Sequence, residues 1–132
     1  MDFSLYAEKL KKLHDQHTQL FHLATDLKVK ALDREYPYIF GLGDVLQREL
    51  RTHFLKEETA MLEFGFPHLE HHKQEHAILS SILMRIVLSA EDKDENVAER
   101  VDRFAERLVY HVEVHDAAYT NFLTRKLQGG KK

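Results

Sequence analysis

The stretch from His53 to His76 carries an HxxxE pair, His53 and Glu57, and an HxxxH pair, His72 and His76. Residues four apart on an α-helix project from one face, so each pair can close on a single metal ion. Neutral imidazole and ionised carboxylate are ordinary ligands for iron and its neighbours. His17 near one end of the chain, and His111 with Asp116 near the other, offer the same donor types. The chemistry these residues suggest is metal coordination. There is no cysteine, which removes a thiol nucleophile, a zinc ribbon and a disulfide framework from consideration.

Four helices are needed to position these side chains. From Ser4, a fair N-cap, to Ala31 the chain has neither glycine nor proline. Its apolar stripe of Leu10, Leu13, Leu20, Ala24, Leu27 and Ala31 has one gap, which His17 fills. Pro37 in DREYP breaks the pattern. A second helix is expected from near Pro37 to about Phe64, burying Leu42, Val45, Leu46, Leu50, Phe54, Met61 and Phe64. Gly65 supplies a C′ position and Pro67 a new N-terminus, which makes a tight turn. The third helix has the cleanest period, with Leu69, His72, His76, Leu79, Leu83, Ile86 and Ala90 on one seam.

After the charged connection AEDKDEN, a fourth helix is expected from about Asn96 to Leu127, before a fraying GGKK tail. Its stripe begins Val97, Val101, Phe104, Leu108 and His111. Two continuations compete beyond His111, one through His115, Ala118 and Phe122, the other through Val112, Asp116, Tyr119 and Leu123. A single π-type turn would shift the seam by one residue and bring both His111 and Asp116 inside. Short connections then predict an all-α fold, an antiparallel up-down-up-down four-helix bundle, over one domain spanning residues 1–132.

In such a bundle a residue's height follows from its distance to each turn, at about 1.5 Å per residue. His17 lies about 17 residues before the first turn, and His53 and Glu57 about 18 beyond it. Glu57 lies about 8 residues before the second turn, with His72 and His76 about 7 beyond it. His76 lies about 16 residues before the third, with His111 and Asp116 about 18 beyond it. All four helices thus place metal-ligand types on the inner face at one level. A lone buried histidine is usually a hydrogen-bonded core residue, but five with two carboxylates would be costly to desolvate unliganded. Seven side chains exceed one ion and suit two octahedral ions bridged by Glu57 and Asp116. With a single-atom oxygen bridge between the ions, one coordination position stays open for a small ligand.

Composition narrows the partners. The formal charge is −3 and the basic residues are scattered apart from Lys131 and Lys132, so nucleic acid is not an expected partner. No run of apolar residues is long enough to span a membrane, and MDFSLYAEKLKK does not read as a signal peptide. The expected location is cytoplasmic.

Taken together, DQHTQLF around His17, HFLKEETAM around His53 and Glu57, HHKQEH for His72 and His76, and HVEVHDAAY for His111 and Asp116 resemble the hemerythrin family. The resemblance covers essentially the whole chain. It implies a di-iron site in the bundle core, with His72, His76 and His111 on one iron and His17 and His53 on the other. Glu57 and Asp116 would bridge, beside an oxo or hydroxo group. It implies that the irons cycle between Fe2+ and Fe3+ with dioxygen as the reversibly bound ligand. Tyr119 falls where the family often has a tyrosine, one turn past the aspartate, and is expected beside the site rather than on a metal. This chain lacks the family's common tryptophans: it has none, and Arg107 stands where one would precede His111 by four residues.

The expected function is therefore non-enzymatic dioxygen binding, for carriage, storage or sensing. The alternative is a di-iron oxidase, peroxidase or nitric-oxide-handling enzyme, although the ExxH motif of carboxylate-rich oxidases does not occur. A signalling partner, if used, would act in trans, and the sequence leaves the oligomeric state open. His14, His22, His68, His71 and His115 are expected outside the ligand set, and Glu58 is expected to be a solvated charge about 100° around the helix from Glu57.

Overall fold

The computed structural model describes residues 3–129. They form α1 (Phe3–Leu32), α2 (Tyr36–Phe64), α3 (Leu69–Glu91), α4 (Val97–Tyr110), a π-helical segment (His111–Asp116) and α5 (Ala117–Gly129). The last three run on as one rod, so the described residues make four helices and no strand. Consecutive helices pack on one another, and α1 also packs on α4 and α5, which closes the four around a common core. No helix among the described residues is long and apolar enough to cross a membrane.

All three connections use the same device. Arg34, Gly65 and Lys93 have φ of 55°, 74° and 55°, and each ends its helix in the left-handed conformation. The next residue's amide then reaches back five positions, Glu35 to Lys30 O at 3.1 Å, Phe66 to Met61 O at 2.8 Å and Asp94 to Ser89 O at 2.9 Å. These bonds satisfy carbonyls that a helix end otherwise leaves unpaired. Pro37 sits in the first turn of α2, where its missing N–H is not needed.

Helix limits differ from the sequence expectation by one or two residues, as helix ends commonly do. Ser4 lies inside α1 rather than capping it, and its side chain, like those of Leu10, Leu13 and His14, lies outside the described residues. Helix α3 begins at Leu69 with His68 as its cap residue, not at Pro67. Helix α5 runs two residues past Leu127, and residues 130–132 are not described.

The buried face of α2 is also rotated from the expected one. Val45 is exposed, and Ile39 and Gly43 are buried instead. Ile39, Gly43, Leu46 and Leu50 follow intervals of four, three and four, which Val45 does not fit. Gly43 allows close approach to α3, because a Cβ there would stand 2.8 Å from Val87 Cγ2.

The apolar interior falls into two clusters. The larger includes Leu20, Leu27, Leu46, Leu50, Phe54, Leu79, Leu83, Val101, Phe104 and Leu108. The smaller comprises Met61, Phe66, Tyr119 and Leu123. Each fully buried large aliphatic side chain contributes roughly 1.5–3 kcal/mol, so these clusters hold the helices together. The metal-ligand types lie between residues of the core, after Leu108 and before Tyr119 on the last rod, and between Leu50 and Met61 on α2.

Candidate metal centre

The π-helical segment explains how His111 and Asp116 share a face. Five α-helical steps of about 100° would leave them about 140° apart. Widening one turn over His111–Asp116 brings both inside, each 1% exposed. The seam then continues through Tyr119 and Leu123, both buried, while Ala118 is exposed. The second of the two competing continuations is thus the one adopted.

His53, Glu57, His72, His76, His111 and Asp116 are buried, and the His17 side chain is 13% exposed. The two oxygens of each carboxylate face different imidazoles. Glu57 Oε1 lies 2.6 Å from His72 Nε2 and 3.1 Å from His76 Nε2, whereas Oε2 lies 3.1 Å from His53 Nε2. Asp116 Oδ1 lies 2.9 Å from His72 Nε2 and 3.0 Å from His111 Nε2, whereas Oδ2 lies 2.8 Å from His17 Nε2. The donors thus sort into two overlapping groups able to hold an ion. One contains His72, His76 and His111, the other His17 and His53, and both contain Glu57 and Asp116.

Several of these short contacts are not hydrogen bonds. Nε2 of His17, both ring nitrogens of His111, Oε2 of Glu57 and Oδ2 of Asp116 are buried without a hydrogen-bond partner. Unpaired buried polar atoms are costly, and here they converge on one another. A cation in each group would satisfy nearly all of them at once, so the residues present fit a pair of metal ions.

The two carboxylates are charged to the same end, whereas His72 holds a proton that an ion would have to displace. Burial and the neighbouring Asp116 push the Glu57 carboxyl up, but the close imidazoles of His53, His72 and His76 outweigh them and hold it well below the usual carboxylate range. Burial likewise opposes ionisation of Asp116, and His111, His17 and His72 reverse it, leaving the group well below its ordinary value. Burial lowers His72, but Asp116 and Glu57 raise it further, to about 9. Both carboxylates are therefore ionised, as ligands must be.

The residues around the cluster hold its imidazoles in place. Glu58 is not a solvated charge: its Oε2 accepts a hydrogen bond from His76 Nδ1 at 2.7 Å. The turn of about 100° from Glu57 points it towards α3, where the outer nitrogen of His76 is waiting. The expectation could have been corrected from chemistry alone, since a ligating imidazole commonly donates its other N–H to a carboxylate. Phe54 stacks on His76 with centroids 3.8 Å apart, and Phe66 meets His72 edge-on at 6.3 Å.

Tyr119 is buried, its hydroxyl has no hydrogen-bond partner, and its ring meets Phe66 at 5.3 Å. Burial and the carboxylates of Glu57 and Glu63 push its hydroxyl pKa up. Arg107 donates to Glu75 Oε2 at 2.8 Å, joining α4 to α3. Glu75 is itself buried, which the sequence pattern did not indicate. His115 is half-buried, and burial lowers its pKa. His22, His68 and His71 are exposed.

Comparison with known proteins gives the same direction. Searches of curated proteins and of solved structures found no match. The family profile described as "Hemerythrin HHE cation binding domain" matches residues 8–123, a span that includes all seven clustered residues. The chain belongs to the hemerythrin family, whose domain binds metal cations.

Proposed function

We propose that the centre holds two iron ions and binds dioxygen reversibly. The reading rests on one observation: each carboxylate turns one oxygen to the group of three imidazoles and the other to the pair. His72, His76 and His111 with Glu57 Oε1 and Asp116 Oδ1 offer one ion five donors. His17 and His53 with Oε2 and Oδ2 offer the other only four. With a single-atom bridge added, the first octahedron is complete and the second keeps one position for a small ligand.

Iron, when bound, would supply the electrons that let dioxygen attach and leave. The protein's part is to hold the donors and exclude water. The apolar clusters that flank the centre suit an apolar diatomic ligand better than a charged substrate. The predominance of imidazole over carboxylate, five against two, favours reversible binding over the carboxylate-rich chemistry of di-iron oxidases. Tyr119 would stand beside the centre without ligating it. We read the four helices as an antiparallel up-down-up-down bundle forming one domain, supported by the short connections and the packing of consecutive helices.

Metal analysis with optical spectra of the reduced, oxygenated and oxidised forms tests the reading. Two irons per chain and an absorption band that comes and goes with oxygen are expected. Reduced, iron-loaded protein that shows no reversible change on cycling oxygen would contradict it.

A further inference from the structure

A second set of metal-ligand types lies outside the seven clustered residues and shares none of them. His71 and Glu75 are one turn apart on α3, and His115 faces them from the π-helical segment. Each offers a ligand atom, and these atoms all lie within 4.8 Å of one another. His115 Nε2 is 3.7 Å from Glu75 Oε2, and the His71 and His115 rings are 5.1 Å apart. Ligand atoms at about 2.1 Å from a tetrahedral zinc ion stand about 3.4 Å from one another, so small side-chain rotations would close this set. Two imidazoles and a carboxylate with a fourth position open form an ordinary zinc ligand set.

Glu75 is the informative member. It is buried, at 8% exposure, and a carboxylate is rarely taken out of water without a cation beside it. Arg107 supplies that cation, at 2.8 Å from Oε2. Its own Nε is buried without a hydrogen-bond partner, so the guanidinium is incompletely satisfied there. The Arg107 side chain is 35% exposed and its guanidinium lies 5.4 Å from the centroid of the Tyr110 ring, which leaves it a way out to solvent. His71 is exposed, so an ion can arrive from solution.

We infer that His71, Glu75 and His115 form a third metal site, open to solvent, for a divalent transition-metal ion of the zinc class, with Arg107 holding the place of the ion until it binds. The site stands against the outer face of the candidate di-iron centre, with the His115 ring 5.6 Å from His111 and 6.2 Å from His72.

The test uses the full chain after iron loading, titrated with Co2+ as an optically visible stand-in for Zn2+. One further ion per chain is expected, with the visible absorption of a four-coordinate cobalt ion. His71→Ala, at an exposed position, should weaken that binding by about tenfold or more while iron content is unchanged. The double variant with His115→Ala should abolish it, and Arg107→Ala should tighten it by releasing Glu75. Wild-type protein that takes up no further ion, or His71→Ala protein that binds it as tightly as wild type, overturns the inference. So does Arg107→Ala protein that binds Co2+ more weakly. The inference does not depend on the di-iron reading. If the seven clustered residues hold no iron, the difference of one ion between wild type and the His71→Ala/His115→Ala double variant persists.

Discussion

Glu58 Oε2 accepts a hydrogen bond from Nδ1 of His76 at 2.7 Å, while Nε2 of the same ring faces Glu57 at 3.1 Å. Two adjacent carboxylates thus grip one imidazole by opposite edges. The outer bond fixes the ring's tautomer and raises its basicity towards a metal. Glu58→Gln keeps the shape and removes the charge. It should lower metal affinity about tenfold to a hundredfold, read by competition with a chelator, with the helical content unchanged. Affinity equal to wild type would show that Glu58 does not support the centre.

Glu57 contributes an oxygen to each donor group, so its loss should be felt by both ions. Glu57→Ala is expected to reduce iron from two per chain to one or none, measured by metal analysis after gel filtration. Iron content and thermal stability both equal to wild type would refute the di-iron assignment.

The metal-free protein should respond to pH through His72. Its pKa is raised to about 9 by Asp116 and Glu57 against the opposing effect of burial. A group raised on folding stabilises the fold fully below its unfolded value of about 6.5, and that contribution is lost as pH rises through the folded value. Metal-free protein should therefore become less stable to denaturant between about pH 6.5 and 9. Iron affinity should rise over the same interval, because an ion must displace the His72 proton. Denaturation midpoints and chelator competition at stepped pH check both trends. Metal-free stability that rises across this window would contradict them.

Lys93 holds a left-handed conformation at φ 55° that costs an L-residue about 1–2 kcal/mol relative to the right-handed region. Lys93→Gly relieves that cost, partly offset by the greater freedom glycine has when unfolded. A net gain of about 0.5–1 kcal/mol is expected from denaturant unfolding. The same substitution at Arg34, with the same φ, should behave alike. A loss of stability at both positions would show that the lysine and arginine side chains matter more than the backbone.

Tyr119 has a buried hydroxyl with no hydrogen-bond partner. Leaving such a group unpaired costs about 1–3 kcal/mol, so Tyr119→Phe should leave the metal-free protein as stable as wild type or more so. A marked fall in its melting temperature would reveal a partner for the hydroxyl.

The seven clustered residues were legible in the sequence because helical spacing and distance to each turn are one-dimensional quantities. Histidines in otherwise apolar stripes at matching heights could meet in only one place. The π-type turn followed from the same bookkeeping, since only a shift of seam puts His111 and Asp116 together. Gly65 was legible as a helix end because glycine advertises a left-handed conformation, whereas Arg34 and Lys93 do the same work with no such signal. The exposure of Val45 and the burial of Gly43 depended on how α2 is rotated against α3, which no single helix encodes.

What only the tertiary structure decided is which atom faces which. The family resemblance already implied that Glu57 and Asp116 stand between three imidazoles and two, but which oxygen of each carboxylate faces which ring is a property of packed helices. Glu58 against His76, and Glu75 against Arg107 and His115, likewise pair residues from different helices. Periodicity fixes the face of a helix on which a side chain stands. The partner it meets there depends on the azimuth and separation of the neighbouring helix, which the packing of the whole core sets.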